Sequence, residues 1–170
     1  LVRGQAHWNG FADRLASALG PAQRVMCIDL PGNGVCHQQP SPARVSAMVD
    51  AARATLLRQG VDGPVRLVAL SLGGMVAMEW LYRYPEHVEA AALINSSAAP
   101  VSPFWHRLKP ANYIDIVRYG LIGRDRLMRE RMILEITTNR LSDADKDRIA
   151  RQFVEIDATR PVSAANTVRQ

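Results

Sequence analysis

The chain has 170 residues, 48% hydrophobic and 22% charged, with a formal net charge of +5. That is enough apolar material for one core and a small second lobe, and it excludes a disordered chain. No run of eighteen apolar residues occurs, which excludes a membrane-spanning helix, and the first residues do not read as a charged-then-apolar signal segment.

The chain opens at Leu1 rather than methionine, inside strand-like residues, so its natural start is expected upstream. Leu1-Val2-Arg3-Gly4 reads as the end of a strand that breaks at glycine. Trp8, Phe11, Leu15 and Leu19 then recur at three- and four-residue steps, one buried face of a first helix, and Gly20-Pro21 stops it. Residues 24–29 form a second, mostly apolar strand. Leu30-Pro31-Gly32-Asn33-Gly34 turns the chain out of it. Gly32-x-Gly34 is not a dinucleotide-binding loop, because position 37 is histidine and Pro40 and Pro42 precede any helix. Asp29 is expected to fix this loop by accepting from backbone N–H groups.

Ser41-Pro42 has the form of a helix start, serine as cap and proline in the first turn. Val45, Met48, Val49, Ala52 and Leu56 form the buried stripe of that helix, and Asp62-Gly63-Pro64 makes the turn after it. A strand over 65–70, a helix over 72–84 ended by Pro85, and a strand over 88–94 complete an alternating pattern of about four strands. Strand–helix alternation is the pattern of a parallel sheet with crossover helices, an α/β fold. Gly4, Asp29, Ser71 and Asn95 all fall at strand carboxyl ends, the rim where ligands bind on such sheets.

The centre of the pattern is Ala69-Leu70-Ser71-Leu72-Gly73-Gly74. A serine between a strand and a helix, flanked by small residues two positions away, has the spacing of a nucleophile elbow. The turn holds the serine backbone at positive φ, a strain of roughly 1–3 kcal/mol, and lifts Oγ clear of the sheet. Strand and helix then nearly touch, so Ala69 and Gly73 must be small, and Gly74 lets the helix pack close to the neighbouring strand. The N–H of Leu72 faces the helix N-terminal end, where an oxyanion is stabilised. The competing reading is a serine that merely caps a glycine-rich helix start.

Beyond Asn95 the pattern becomes helical throughout. A linker over 96–100 leads to candidate helices near 102–108, 112–122, 124–138, 142–157 and 161–169. Ser142 with Asp143 and Asp145 forms a well-matched helix start. This makes a core over 1–95 and a helical lid over 96–170, with Trp105, Tyr113, Tyr119 and Phe153 as apolar surface. Residues 1–95 carry 8 basic and 7 acidic side chains, and residues 96–170 carry 13 and 9. Because the signs alternate, the excess reads as a solvated helical face, with no nucleic-acid partner.

Cys27 and Cys36 form no C-x-x-C pair, and the four histidines, His7, His37, His87 and His106, show no ligand spacing. No metal, no cofactor and no disulfide framework is expected, and the default setting is a reducing cytoplasm.

Arg3-Gly4, Asp29-Leu30-Pro31-Gly32-Asn33-Gly34, Ala69-Leu70-Ser71-Leu72-Gly73-Gly74-Met75 and Tyr84-Pro85-Glu86-His87-Val88 together resemble the α/β-hydrolase superfamily, in that family's order across 1–95. The resemblance implies a partial α/β-hydrolase fold followed by a lid. It implies Ser71 as nucleophile toward a small ester, thioester or related acyl carbonyl, with the N–H groups of Leu72 and Gln5 as oxyanion donors. Arg3-Gly4 stands where the family has His-Gly, and the loop from Gly4 to Trp8 is short. The family's acid and histidine follow the lid at the ends of later strands. No position in 1–170 matches them, so acid and base are expected outside this chain, with His7, His37 and His106 the only internal substitutes. The functions so implied are a serine hydrolase, an acyltransferase using the same serine, or a non-catalytic binding protein of the same fold.

Overall fold

A computed structural model describes residues 3–96 and 125–169. In chain order its regular elements are α1 (Phe11–Leu19), α2 (Val45–Arg58), β1 (Val65–Leu70), α3 (Leu72–Arg83), β2 (Val88–Ile94), α4 (Arg126–Thr137), α5 (Asp143–Thr159) and α6 (Ala164–Arg169). Contacts divide the chain into two units, 1–98 with 160–170, and 99–159. Residues 160–169, expected as the end of the lid, therefore make their contacts with the first unit.

The first unit is organised on β1–α3–β2. The two strands pair in parallel, from Arg66 opposite Ala90 to Leu70 opposite Ile94, with an irregularity between Val65 and Arg66. Parallel neighbours need a crossover, and α3 supplies it. Along β1 the pleat alternates: Val65, Leu67 and Ala69 turn inward, while Arg66, Val68 and Leu70 are exposed. The inward face meets the stripe of α2, where Met48, Val49, Ala52 and Leu56 are buried at helical spacing. Val76 and Trp80 of α3 and Val88 of β2 close this core, with Val49 and Trp80 at 0% and 2% exposure.

Three segments depart from their sequence pattern. Residues 24–30 carry no ladder, although Met26, Ile28 and Leu30 pack against the core at period two. Among the described residues the sheet thus has two strands rather than about four; Leu1 and Val2 lie outside them. The first helix begins at Phe11, because Asn9 and Gly10 take positive φ of 47° and 70° and break the run. Trp8 falls in a separate turn and stacks on Phe11 at 5.3 Å, and no α1 residue is buried. α2 begins at Val45 rather than at Ser41-Pro42, and the Ser41 N–H donates to Asn166 Oδ1 at 2.8 Å.

In the second unit α4 and α5 bury Leu134, Ile149 and Ala150, with Leu127, Leu141 and Phe153 against them. Asp125 caps α4 through the Leu127 N–H at 2.9 Å, and Ser142 Oγ caps α5 through the Asp145 N–H at 3.1 Å. Arg131 of α4 pairs with Asp143 at 3.1 Å and Asp147 at 2.7 Å, and Lys146 reaches Glu135 at 2.8 Å. The Arg131 hydrogen bond and charge, then Lys146, hold the Asp143 carboxyl below its usual range. The Ser142 hydroxyl and then Arg148 do the same for Asp145. The segments expected as helices at 102–108 and 112–122, with Trp105, His106, Tyr113 and Tyr119, lie outside the described residues.

Two outcomes follow from this packing. Trp80→Ala removes a fully enclosed indole and is expected to cost about 3–5 kcal/mol, read as a lower urea midpoint with an unchanged slope. The lowered carboxyls of α5 stabilise the fold above their unfolded value of about 3.9 and lose that contribution as pH falls through their folded values. The thermal midpoint of the α4–α5 transition is expected to fall across an acid series, and to fall less steeply in Asp143→Asn.

Candidate active site

β1 ends at Leu70 and α3 begins at Leu72, so a single residue makes the turn. Ser71 has φ 54° and ψ −117°, a strained conformation for a residue with a Cβ, costing roughly 1–3 kcal/mol. Its backbone is tied on both sides. The Ser71 N–H donates to Ile94 O at 3.0 Å, extending the β1–β2 ladder by one residue. Its carbonyl accepts from the Gly74 N–H at 2.9 Å and from Ser96 Oγ at 3.2 Å. Ser96 Oγ also lies 3.1 Å from Ile94 O, so one hydroxyl spans the strand end and the turn.

The Ser71 side chain is exposed and makes no cap hydrogen bond to the helix it precedes. The capping role open to a serine here is therefore not taken. Closing the first turn through Gly74 leaves the Leu72 N–H as a first-turn amide with no intrahelical acceptor, at the positive end of α3.

The small residues around the turn are not equivalent. A Cβ at Gly73 would meet Ala69 Cβ at 3.9 Å, ordinary contact. A Cβ at Gly74 would fall 1.7 Å from Ser96 Oγ and 2.4 Å from Ser96 Cβ. Gly73 needs only to be small, whereas Gly74 is where α3 packs hard against its neighbour, because the chain leaving β2 crosses there.

A second cluster surrounds Asp29, 7% exposed. Its Oδ1 accepts from the Gln5 N–H at 2.5 Å and its Oδ2 from the Val35 N–H at 2.9 Å. Gly34, at φ +50°, lies so close that a Cβ would overlap the carboxylate. Asp29 therefore ties the Gly4–Gln5 turn to the loop beginning at Leu30. The Gln5 N–H, expected to face an oxyanion, is directed at this carboxylate.

The described histidines have other neighbours. His7 folds back on its own turn, its Nδ1 3.2 Å from Gly4 N and 3.3 Å from Gly4 O. His37 Nδ1 lies 3.0 Å from Gly34 O, and His87 stacks on Trp80 at 5.9 Å. Cys27 and Cys36 are free thiols. Burial, then the charges of Asp29 and Asp13, push the Cys27 thiol up, which keeps it protonated and a poor nucleophile. Among the described residues no group of three His, Cys, Asp or Glu side chains is placed to hold a metal ion, and no helix is long and apolar enough to cross a membrane.

Two residues of this region escaped sequence reasoning. Ser96 reads as the first residue of a linker. Asn166, 5% exposed, contacts the 37–41 stretch from more than 120 positions away, and no motif marks it.

With the strand–serine–helix turn in place, comparison with known proteins defines the class. The alpha/beta hydrolase family model matches residues 1–168, and the chain belongs to that family. Among curated relatives, it is similar to the pimeloyl-[acyl-carrier protein] methyl ester esterase of Chromobacterium violaceum, 32% identical over 124 residues, covering 72% of this chain and 46% of that protein. Among solved structures, BpoC from Mycobacterium tuberculosis H37Rv aligns over 99% of this chain and 61% of its own, with a TM-score of 0.63 and 17% identity. Est816, an N-acyl homoserine lactone degrading enzyme, aligns over 97% and 65%, with a TM-score of 0.55 and 17% identity. The structural likenesses establish the fold. The chain spans about half the length of the curated relative and under two thirds of these solved chains.

The glycine pair makes a direct test of the turn. Gly73→Ala is expected to be neutral or to stabilise by up to about 1 kcal/mol, the ordinary helical gain. Gly74→Ala is expected to destabilise despite the same gain, because Ser96 must be displaced; denaturant midpoints of the two variants measure the difference.

Proposed function

We propose that this chain carries the nucleophile of a serine hydrolase acting on an ester or related acyl carbonyl, with Ser71 Oγ as the attacking atom. The observation that carries the reading is the state of Ser71. It is exposed, at positive φ, and its hydroxyl is not spent on capping the helix below it. A fold gains nothing in stability from a strained serine whose hydroxyl makes no cap, which is the arrangement a reactive hydroxyl needs.

In this reading Oγ adds to the carbonyl carbon, its proton passes to a general base, and the charge developing on the carbonyl oxygen is met by the Leu72 N–H. The α3 dipole adds to that stabilisation. Gln5 serves as second donor once its N–H exchanges Asp29 Oδ1 for the oxyanion. The base and its orienting acid come from outside residues 1–170. The ester chemistry in the name of the 32% identical relative supports the substrate class. Two free cysteines fit a reducing, cytoplasmic setting.

The test is fluorophosphonate labelling of the full-length protein, followed by peptide mapping and turnover of short-chain p-nitrophenyl esters. Label on Ser71, and a loss of turnover of at least about 10³-fold in Ser71→Ala, is the expected result. A folded protein that stays unlabelled, or label on another residue, would overturn the assignment and leave a binding protein of the same fold. Acceleration by an added alcohol, with the acyl group recovered on it, would turn the reading to acyl transfer.

A further inference from the structure

Asn166 of α6 hydrogen-bonds the 160–169 stretch to the 37–41 stretch. Its Oδ1 accepts from the Ser41 N–H at 2.8 Å, and its Nδ2 donates to His37 O at 3.3 Å and Gln39 O at 3.0 Å. Both amide protons and one acceptor position are thus used on backbone, with the side chain 5% exposed. Gly32, at φ +90°, packs beneath it: a Cβ there would lie 3.0 Å from Asn166 Nδ2 and 2.9 Å from Ser41 Cβ.

The loop held this way is internally braced. Gly32 N–H donates to Cys36 O at 2.9 Å, Asn33 N–H to Leu30 O at 3.0 Å, Cys36 N–H to Asn33 O at 2.8 Å and Gln39 N–H to Cys36 O at 3.0 Å. The near end of the loop meets Asp29 through the Val35 N–H, and Asp29 in turn holds the Gln5 N–H. An unbroken series of hydrogen bonds and close contacts therefore runs from Asn166 to the Gly4–Gln5 turn.

We propose that Asn166 is a positioning residue: it latches the 30–41 loop and, through Asp29, sets where the Gly4–Gln5 turn stands on the donor side of the site. The turn reaches its working position only when the chain, having passed through the 99–159 unit, has returned and docked α6. Asn166 touches no reacting atom in this scheme. Its effect on chemistry rests on the Ser71 reading above, whereas its effect on the Gln5 turn does not.

The experiment separates the two. Amide hydrogen exchange is measured on the full-length protein, wild type, Asn166→Asp and Asn166→Ala, at the Ser41, Val35 and Gln5 amides. Asn166→Asp keeps the acceptor for Ser41 and replaces the donor facing two carbonyls with another acceptor, at nearly unchanged volume. Protection at Gln5 and Val35, as well as Ser41, is expected to fall at least about tenfold in both variants, the effect of weakening the latch by roughly 1.4 kcal/mol. In the wild type the three amides are expected to share one protection value and one denaturant slope, a measurement that stands even where a variant does not fold. Loss confined to Ser41, or different slopes in the wild type, would overturn the latch. In parallel, fluorophosphonate labelling at Ser71 is expected to slow at least about tenfold in Asn166→Asp, with the ester KM little changed and kcat reduced. Val49→Ala, a core variant, is expected to lower stability without slowing labelling below its melting range. An unlabelled wild type would defeat the Ser71 reading while the exchange data still judged the latch; intact Gln5 protection would defeat the latch while labelling still judged Ser71.

Discussion

The structure depends on one residue held in a conformation it disfavours. Ser71 must reverse the chain between β1 and α3 in a single step, at φ 54°, and three groups keep it there: Ile94 O, Ser96 Oγ and the Gly74 N–H. Two of these lie at the end of β2, so the turn is only as stable as the β1–β2 pairing. That pairing rests on the core that α2 and α3 build around Val49 and Trp80. Burial of apolar side chains at about 25 cal/mol per Å² easily exceeds a backbone strain of a few kcal/mol. The strain is thus sustained by the packing of α2 and α3 against the two strands.

The second organising feature is a buried carboxylate. Asp29 satisfies two backbone N–H groups from segments about 30 positions apart in sequence, Gln5 and Val35, and so joins two loops at the same rim. An unpaired carboxylate in this position would carry a large desolvation penalty, which is why glycine at position 34 is required to bring the backbone in. The same bond sets a competition. The Gln5 N–H that could meet an oxyanion is already bound to a charged acceptor, so its use in chemistry demands that the oxyanion outcompete Asp29. A turn whose position is set by distant contacts is suited to govern that exchange.

The βαβ centre was legible because three local signals coincide there: a β-branched run, a glycine pair and a proline stop. The strand over 65–70, the helix from 72 and the strand over 88–94 appear where periodicity put them. The buried stripe of α2 and the cap at Ser142 were legible for the same reason, since each is decided within one or two turns of chain. What sequence could not show was decided at long range. The Ser41 N–H donates to a side chain 125 positions later, which no local pattern marks. Residues 24–30 have strand composition and period-two packing, but a ladder needs a partner at the right distance, which composition does not encode. Close packing at Gly74 is expected from the glycine pair, but that Ser96 is what it packs against is invisible locally.

In the proposed reaction Ser71 Oγ faces a substrate carbonyl with the Leu72 N–H beside it. A crystal structure of the full-length protein after reaction with a phosphonate ester tests this most directly. The expected result is phosphorus bonded to Ser71 Oγ and the phosphonyl oxygen about 3 Å from the Leu72 nitrogen. Phosphorus on any other side chain, or a Ser71 adduct whose oxygen points away from the start of α3, would contradict it.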